Sequence, residues 1–184
     1  YEYITFEKRH ISINQRPKLQ HRALSVSSFG KTFHITGWKI GYIVAPQHLM
    51  DEIKKVHQFL VFCVNSTAQA TLAAYLNVVN VHELGRFYQE KRNLFQSLMN
   101  DSRVELLPSE GTYFQLASYA NISSEDDVTF TKRILTEHKV ATIPVSVFNA
   151  AGRDLKHIRF CFAKQHNTLE LAATRLQALS PNAS

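Results

Sequence analysis

The sequence predicts an α/β fold in two parts, strands and helices over residues 1–81 and a small α+β domain over residues 82–184. Three observations predict it. Short apolar runs bounded by Ser, Gly and Pro alternate with helix-period segments up to about residue 80. A long amphipathic segment at 82–100 then reads as a helix leaving one domain for the next. The remainder mixes short strand candidates with two helices around turn residues. A length of 184 residues fits one domain or two small ones.

The elements follow in order. Residues 23–28 read as a short buried strand, and 40–44 as another, ended by Pro46. Leu49, Ile53, Val56 and Leu60 recur at helical spacing, so 47–62 is an amphipathic helix. Residues 66–76, rich in alanine and largely apolar, read as a buried helix. In 82–100, Leu84, Phe87, Lys91, Leu94 and Leu98 keep the helical spacing, with the stem of Lys91 suited to a boundary position. Strand candidates at 104–107 and 112–116 flank the turn Pro108-Ser109-Glu110-Gly111. Ser124-Glu125-Asp126-Asp127 reads as a capping box for a helix to about Glu137. Residues 140–143 form a strand ended by Pro144, and 157–162 another with alternate residues facing opposite sides. Asn167-Thr168 opens a final helix carrying Leu169, Ala172, Leu176 and Leu179. The tail 180–184 reads as disordered.

Composition excludes several classes. With 45% hydrophobic and 20% charged residues, the chain is an ordinary globular one. No run approaches the ~18 apolar residues of a membrane span, and no signal peptide opens the chain. A net charge of +6 permits nucleic-acid binding. The cations, however, come as scattered pairs such as Lys54-Lys55 and Lys132-Arg133 beside acidic neighbours, the pattern of solvated helix faces. Neither nucleic acid nor membrane is an expected partner. The nine histidines show no metal spacing, so no metal is expected. Cys63 and Cys161 sit in apolar stretches and read as buried free thiols in a reducing cytoplasm.

Chemistry concentrates in Ser27-Ser28-Phe29-Gly30-Lys31-Thr32-Phe33-His34-Ile35-Thr36-Gly37-Trp38-Lys39-Ile40-Gly41. A lysine that forms an imine must spend time as a neutral amine, which burial or neighbouring cations favour. A strand ending on small residues can deliver it to the crevice at the carboxyl end of an open sheet. A phosphate wants hydroxyl donors and fixed positive charge, which Ser28 and Lys39 would supply. Taken alone, Lys31 reads as a solvated surface lysine, and Trp38 as a core aromatic beside a turn glycine. Arg159 is the second residue of interest, a guanidinium inside Ile158-Arg159-Phe160-Cys161-Phe162. Such a charge is costly without an anionic partner. The plain alternatives are an edge-strand arginine facing solvent, or one paired with an internal Asp or Glu.

Together these segments resemble the class I aminotransferases, pyridoxal-phosphate enzymes on the fold type I scaffold, which implies that residues 1–81 are the carboxyl-terminal part of a large doubly wound, cofactor-binding domain. The resemblance runs from Tyr1 to about Leu179, and within the family it is similar to bacterial methionine aminotransferases and their kynurenine and glutamine transaminase relatives. Both the lysine segment and Asp126-Asp127-Val128-Thr129-Phe130 carry that likeness. The resemblance implies that Lys31 forms the Schiff base with the cofactor aldehyde, that Ser28 and Lys39 hold its phosphate, and that Arg159 clamps the substrate α-carboxylate. Tyr1, in Tyr1-Glu2-Tyr3-Ile4-Thr5-Phe6, would hydrogen-bond the cofactor's phenolic oxygen. Lys39 stands where many members have arginine, so it would neutralise phosphate as a point charge without a bidentate fork. Gly111 resembles the point where the small domain approaches the substrate, and Ile143-Pro144-Val145-Ser146-Val147-Phe148 the loop before the arginine strand.

The resemblance implies transfer of an amino group between an amino acid, methionine-like or aromatic, and a 2-oxo acid. It also implies a cytoplasmic homodimer. The family's first half is missing from the sequence, so the chain is expected to be the carboxyl-terminal half of a larger enzyme and inactive alone. Two other readings stay open: a carbon–sulfur β-lyase on the same fold, and the aminotransferase-like sensor domain of a transcription regulator.

Overall fold

The apolar run that ends on Ser28 forms strand β1 (Ser25–Ser28), which pairs antiparallel with β2 (Gly41–Val44) in the computed structural model. The structure describes residues 1–179; the expected disorder of the tail 180–184 lies outside them. The chain groups into two units, Tyr1–Tyr3 with Lys8–Leu84, and Ile4–Glu7 with Gly85–Ser184.

In the first unit, Ser28 lies opposite Gly41 and Ser27 opposite Tyr42. Glycine at 41 is required, because a Cβ there would lie 2.4 Å from the Ser27 carbonyl oxygen. Between the strands lie the short helix α1 (Phe29–Thr32) and a 3-10 turn (Thr36–Trp38). Phe29 stacks on Phe33 at 6.0 Å and meets Tyr42 at 5.2 Å, and Phe33 meets Tyr75 edge-on at 5.2 Å. With Ile40 and Leu72 these rings make the unit's small core.

Helix α2 (Gln47–Leu60) follows its expected spacing, yet Val56, Phe59 and Leu60 on it are exposed. Helix α3 (Ser66–Leu76), opened by the Asn65 side chain accepting from the Ala68 N–H at 2.9 Å, departs from expectation. Its only buried residue is Leu72, although its composition predicts a buried helix. Apolar content states what a helix prefers to cover, and this chain supplies too little cover. For the same reason Val26 of the expected buried strand is exposed, as is Trp38. Cys63 is exposed too, and Cys161 only half-buried, correcting the expected burial of both thiols.

The second unit is built on a four-stranded antiparallel sheet. Its order is β3 (Glu105–Leu106), β4 (Phe114–Ser118), β6 (His157–Cys161), β5 (Ile143–Pro144). Alternation sets its faces: Gln115, Ala117, Ile158 and Phe160 are buried on one, while Leu116, Arg159 and Ile143 share the other. Helix α4 (Glu83–Leu98) meets the buried face through Phe95 on Phe160 at 5.5 Å and Gln96 donating to Gln115 at 3.1 Å. Lys91 takes its boundary position, donating to the Lys164 carbonyl at 2.7 Å.

Helix α5 (Asp127–Arg133) opens at Asp126 rather than Ser124. The Asp126 carboxylate accepts from the Thr129 N–H at 2.9 Å, while Ser123 and Glu125 close a separate turn just before it. A π turn (Ile134–His138) follows, stopped by the left-handed Lys139. Hence β5 begins later than expected and includes Pro144, which an edge strand tolerates. Phe130 stacks on Tyr119 at 3.9 Å, both fully buried. Helix α6 (His166–Gln177) buries Leu169, Ala173 and Leu176, starting one residue ahead of the expected Asn167.

A short segment from the start of the chain completes this unit. Ile4 is buried, its carbonyl accepts from the Thr112 N–H at 2.8 Å, and the Phe6 N–H donates to the Glu110 carbonyl at 3.1 Å. Arg92 pairs with Glu7, donates to the Ser109 carbonyl at 2.8 Å and stacks on Phe6 at 4.6 Å. Among the described residues no helix is long and apolar enough to cross a membrane, and no group of His, Cys, Asp or Glu gathers as it would round a metal ion.

Candidate active site

Three of the expected site residues fall on one connection of the first unit. Ser28 ends β1 and precedes α1 without spending its hydroxyl on a cap. Lys31 lies in α1, and Lys39 closes the 3-10 turn in a left-handed conformation, φ 54°. Backbone bonds draw this connection tight: Phe29 N–H to the Ile40 carbonyl at 3.1 Å, Ile35 N–H to Gly30 at 3.1 Å, and Trp38 N–H to Ile35 at 2.9 Å. Gly30 makes that closure possible, since a Cβ there would sit 3.0 Å from the Thr36 Cα and 3.2 Å from the Ser28 Oγ. A hydroxyl and two ammonium groups are therefore held on one folded turn.

None of the three has a side-chain hydrogen bond or ion pair among the described residues. Lys31 is exposed in this chain. A phosphorylated aldehyde fits this donor set. Lys31 offers the amine, and Ser28 and Lys39 offer a donor and a positive charge, with no internal carboxylate competing for them.

Tyr1 lines a cavity of about 430 Å³ with Glu2, Asn14, Ser27 and Tyr42. The Tyr42 hydroxyl donates to Glu2 at 3.0 Å and the Asn14 amide to Ser25 at 2.8 Å. Burial works against the Glu2 charge, but the bonds from its own N–H, the chain amine, Ser27 and Tyr42 prevail and bring its pKa to about 2. Burial first, then the Glu2 carboxylate, pushes the Tyr42 hydroxyl up. Lys31 and Lys39 do not line this cavity.

Arg159 lies in the second unit, and both plain alternatives for it fail. Its strand is not an edge, because Arg159 faces Leu116 of β4 on one side and Ile143 of β5 on the other. No acidic side chain pairs with it among the described residues. Instead its guanidinium lies against two rings, 4.1 Å from the centre of Phe114 and 4.9 Å from that of Phe148. Its Nε is buried and has no hydrogen-bond partner among the described residues. Two cation–π contacts thus hold the guanidinium, whose planar fork suits a carboxylate.

The ring pair around Arg159 was not foreseen in the sequence, although the period-two offset from Arg159 to a facing aromatic strand was there to be used. Gly111, in the segment that resembles the small domain's approach to the substrate, makes a close backbone contact. A Cβ on it would lie 2.8 Å from the Ile4 carbonyl oxygen.

The sheet and helices, the lysine turn and the strand arginine define the carboxyl-terminal part of a fold type I transferase. The chain belongs to the family Aminotransferase class I and II, which matches residues 1–176. Methionine aminotransferase of Escherichia coli is 50% identical over 182 residues, covering 97% of this chain and 47% of that protein. Kynurenine–oxoglutarate transaminase 1 of Mus musculus is 30% identical, covering 96% and 47%. Among solved structures, the Escherichia coli protein YbdL, described with a methionine aminotransferase function, superposes with a TM-score of 0.92 at 49% identity, covering 97% of this chain and 48% of that one. N-Succinyldiaminopimelate aminotransferase of Mycobacterium tuberculosis gives 0.87 at 27%, covering 98% and 48%. The chain thus spans about half the length of the curated relatives it matches.

Proposed function

We propose that these residues serve an enzyme that moves an amino group between an amino acid and a 2-oxo acid with pyridoxal 5'-phosphate. Residues 1–81 would belong to its cofactor-binding domain and 82–184 form its small domain. A methionine-like or aromatic substrate side chain is supported by the likeness to methionine aminotransferase and kynurenine transaminase. Because the chain spans about half of those relatives, the working enzyme would include an amino-terminal half like theirs. Exposed Phe59, Leu60 and Phe62 give that half, and a second copy in a homodimer, apolar surface to cover.

When bound, the cofactor supplies an aldehyde for the amino group and a ring that accepts the electrons released at the α-carbon. Lys31 would hold that aldehyde, and its Nζ would take the α-proton. Ser28 Oγ and the Lys39 ammonium would hold the phosphate. The Tyr1 hydroxyl would bond the ring oxygen. Arg159 would receive the substrate carboxylate with its planar fork.

The observation that carries this reading is the set of Ser28, Lys31 and Lys39 on one tight connection with their polar groups unspent. Borohydride reduction of the whole cofactor-loaded protein, followed by peptide mapping, should place a pyridoxyl group on Lys31. Label on another lysine overturns the assignment.

A further inference from the structure

We propose that Asp127 is a positioning residue for the carboxylate site, setting the ring of Phe148 over Arg159 through Ser146. The proposal rests on the reading of Arg159 as the carboxylate-binding residue.

Asp127 is 1% exposed, and no cation pairs with it among the described residues. A buried carboxylate is costly unless hydrogen bonds replace its water. Here both bonds come from one residue: the Ser146 N–H donates at 2.7 Å to one oxygen and the Ser146 hydroxyl at 2.6 Å to the other. Ser146 begins the 3-10 turn Ser146–Phe148, which closes through the Asn149 N–H to the Ser146 carbonyl at 2.9 Å. Immediately before it, the Val145 N–H donates to the His157 carbonyl of β6 at 3.3 Å. The turn is thus tied at one end to the arginine strand and at the next residue to Asp127.

Phe148, the last residue of that turn, is 61% exposed. Packing does not hold its ring in place, so the backbone of the turn must. Phe114, the other ring, differs, because its strand holds it opposite Cys161, one diagonal step from Arg159 on the same face. Of the two rings on Arg159, one is therefore held by the sheet and the other hangs on Asp127. Loss of that anchor frees Phe148, leaves the guanidinium plane unfixed and weakens carboxylate capture without removing any group that touches the carboxylate.

The test follows the Arg159 Nε–H signal by NMR, alone and during titration with phenylpropanoate, a carboxylate with an aromatic tail and no amine. In the unliganded protein, Asp127→Asn and Ser146→Ala should both move this signal toward its position in Phe148→Leu, as ring shielding is lost. Each should weaken phenylpropanoate binding by about 3- to 10-fold, which corresponds to ~0.7–1.4 kcal/mol. Ser146→Thr, which keeps the hydroxyl, should restore both. In Phe148→Leu, adding Asp127→Asn should have no further effect. Ser146→Ala, at a half-buried position, keeps the test valid if loss of the buried charge unfolds Asp127→Asn. A folded Asp127→Asn or Ser146→Ala protein with wild-type signal and affinity overturns the role of Asp127. A wild-type Arg159 signal that ignores phenylpropanoate overturns the carboxylate reading, and this proposal with it.

Discussion

In the second unit Tyr119, Phe130, Ile158, Phe162 and Leu176 are all 0% exposed, whereas in the first Val26, Phe59, Leu60 and Phe62 range from 68% to 86%. Both units draw on the same kinds of residue in the same periodic patterns. The difference lies in supply. The second unit brings its own sheet and helices together, while α2 and α3 present apolar faces with little of this chain to cover them. The candidate site divides likewise. Arg159 has its rings and its neighbouring strands in place, but Lys31 stands exposed with only its own turn to hold it.

The largest effect should come from removing a ring of the self-sufficient core. Phe130→Ala takes away the partner stacked at 3.9 Å on Tyr119 and should cost the second unit ~3–5 kcal/mol, read by urea unfolding. The matching change in the first unit, Phe59→Ser, should shift stability by no more than ~0.5 kcal/mol while reducing self-association in sedimentation. Equal stability losses at the two positions would erase the contrast. Next comes Arg159→Leu in the cofactor-loaded enzyme, expected to weaken amino-acid binding by ~2–5 kcal/mol and leave cofactor binding near wild type. Unchanged substrate affinity in a folded protein removes Arg159 from the site.

The smallest effect is a matter of pH. The Thr129 side chain, then its N–H, hold the Asp126 carboxyl below its usual range. A depressed folded pKa gives a contribution present above the unfolded value of about 3.9 and lost as pH falls through the lower folded value. Asp126→Asn should flatten that part of the acid limb in thermal melts of the second unit. Melts of the two proteins that run parallel through this range would show that the cap carries no charge dependence.

Periodicity made the helices legible, and α3 appears over the same residues, 66–76, that its composition marks. What periodicity could not say is whether a face is covered, so Val26 and the alanines of α3 were expected inside. Helix starts turn on one backbone dihedral rather than on composition, so Asp126 outcompetes Ser124 as the cap of α5. The lysine turn was legible because imine and phosphate chemistry demand particular residues at fixed spacing. Arg159 was legible because a charge in an apolar strand needs a reason. The walls around it were not, since Phe114 and Phe148 read as ordinary aromatics until the register is known. Asp127 read as part of a capping box and of the family-like segment, and nothing local shows that Ser146 will meet it.

The segment Ile4–Glu7 bears on how the chain reaches its native state. The bond from the Phe6 N–H to the Glu110 carbonyl closes the whole span between those residues into a loop. Loop closure grows only slowly with length, by about 0.6 kcal/mol for each doubling, so the equilibrium cost is tolerable. The kinetic cost is greater, because distant pairings slow the search. On a ribosome Ile4 is made long before Gly111 and Thr112, so its carbonyl must wait for them before it is satisfied. A shortened chain begun at Gly85 would lack Ile4 on the exposed flank of Gly111 and the carboxylate that Arg92 grips. It should refold faster than the full chain, yet reach a state that opens more readily to hydrogen exchange along residues 109–112.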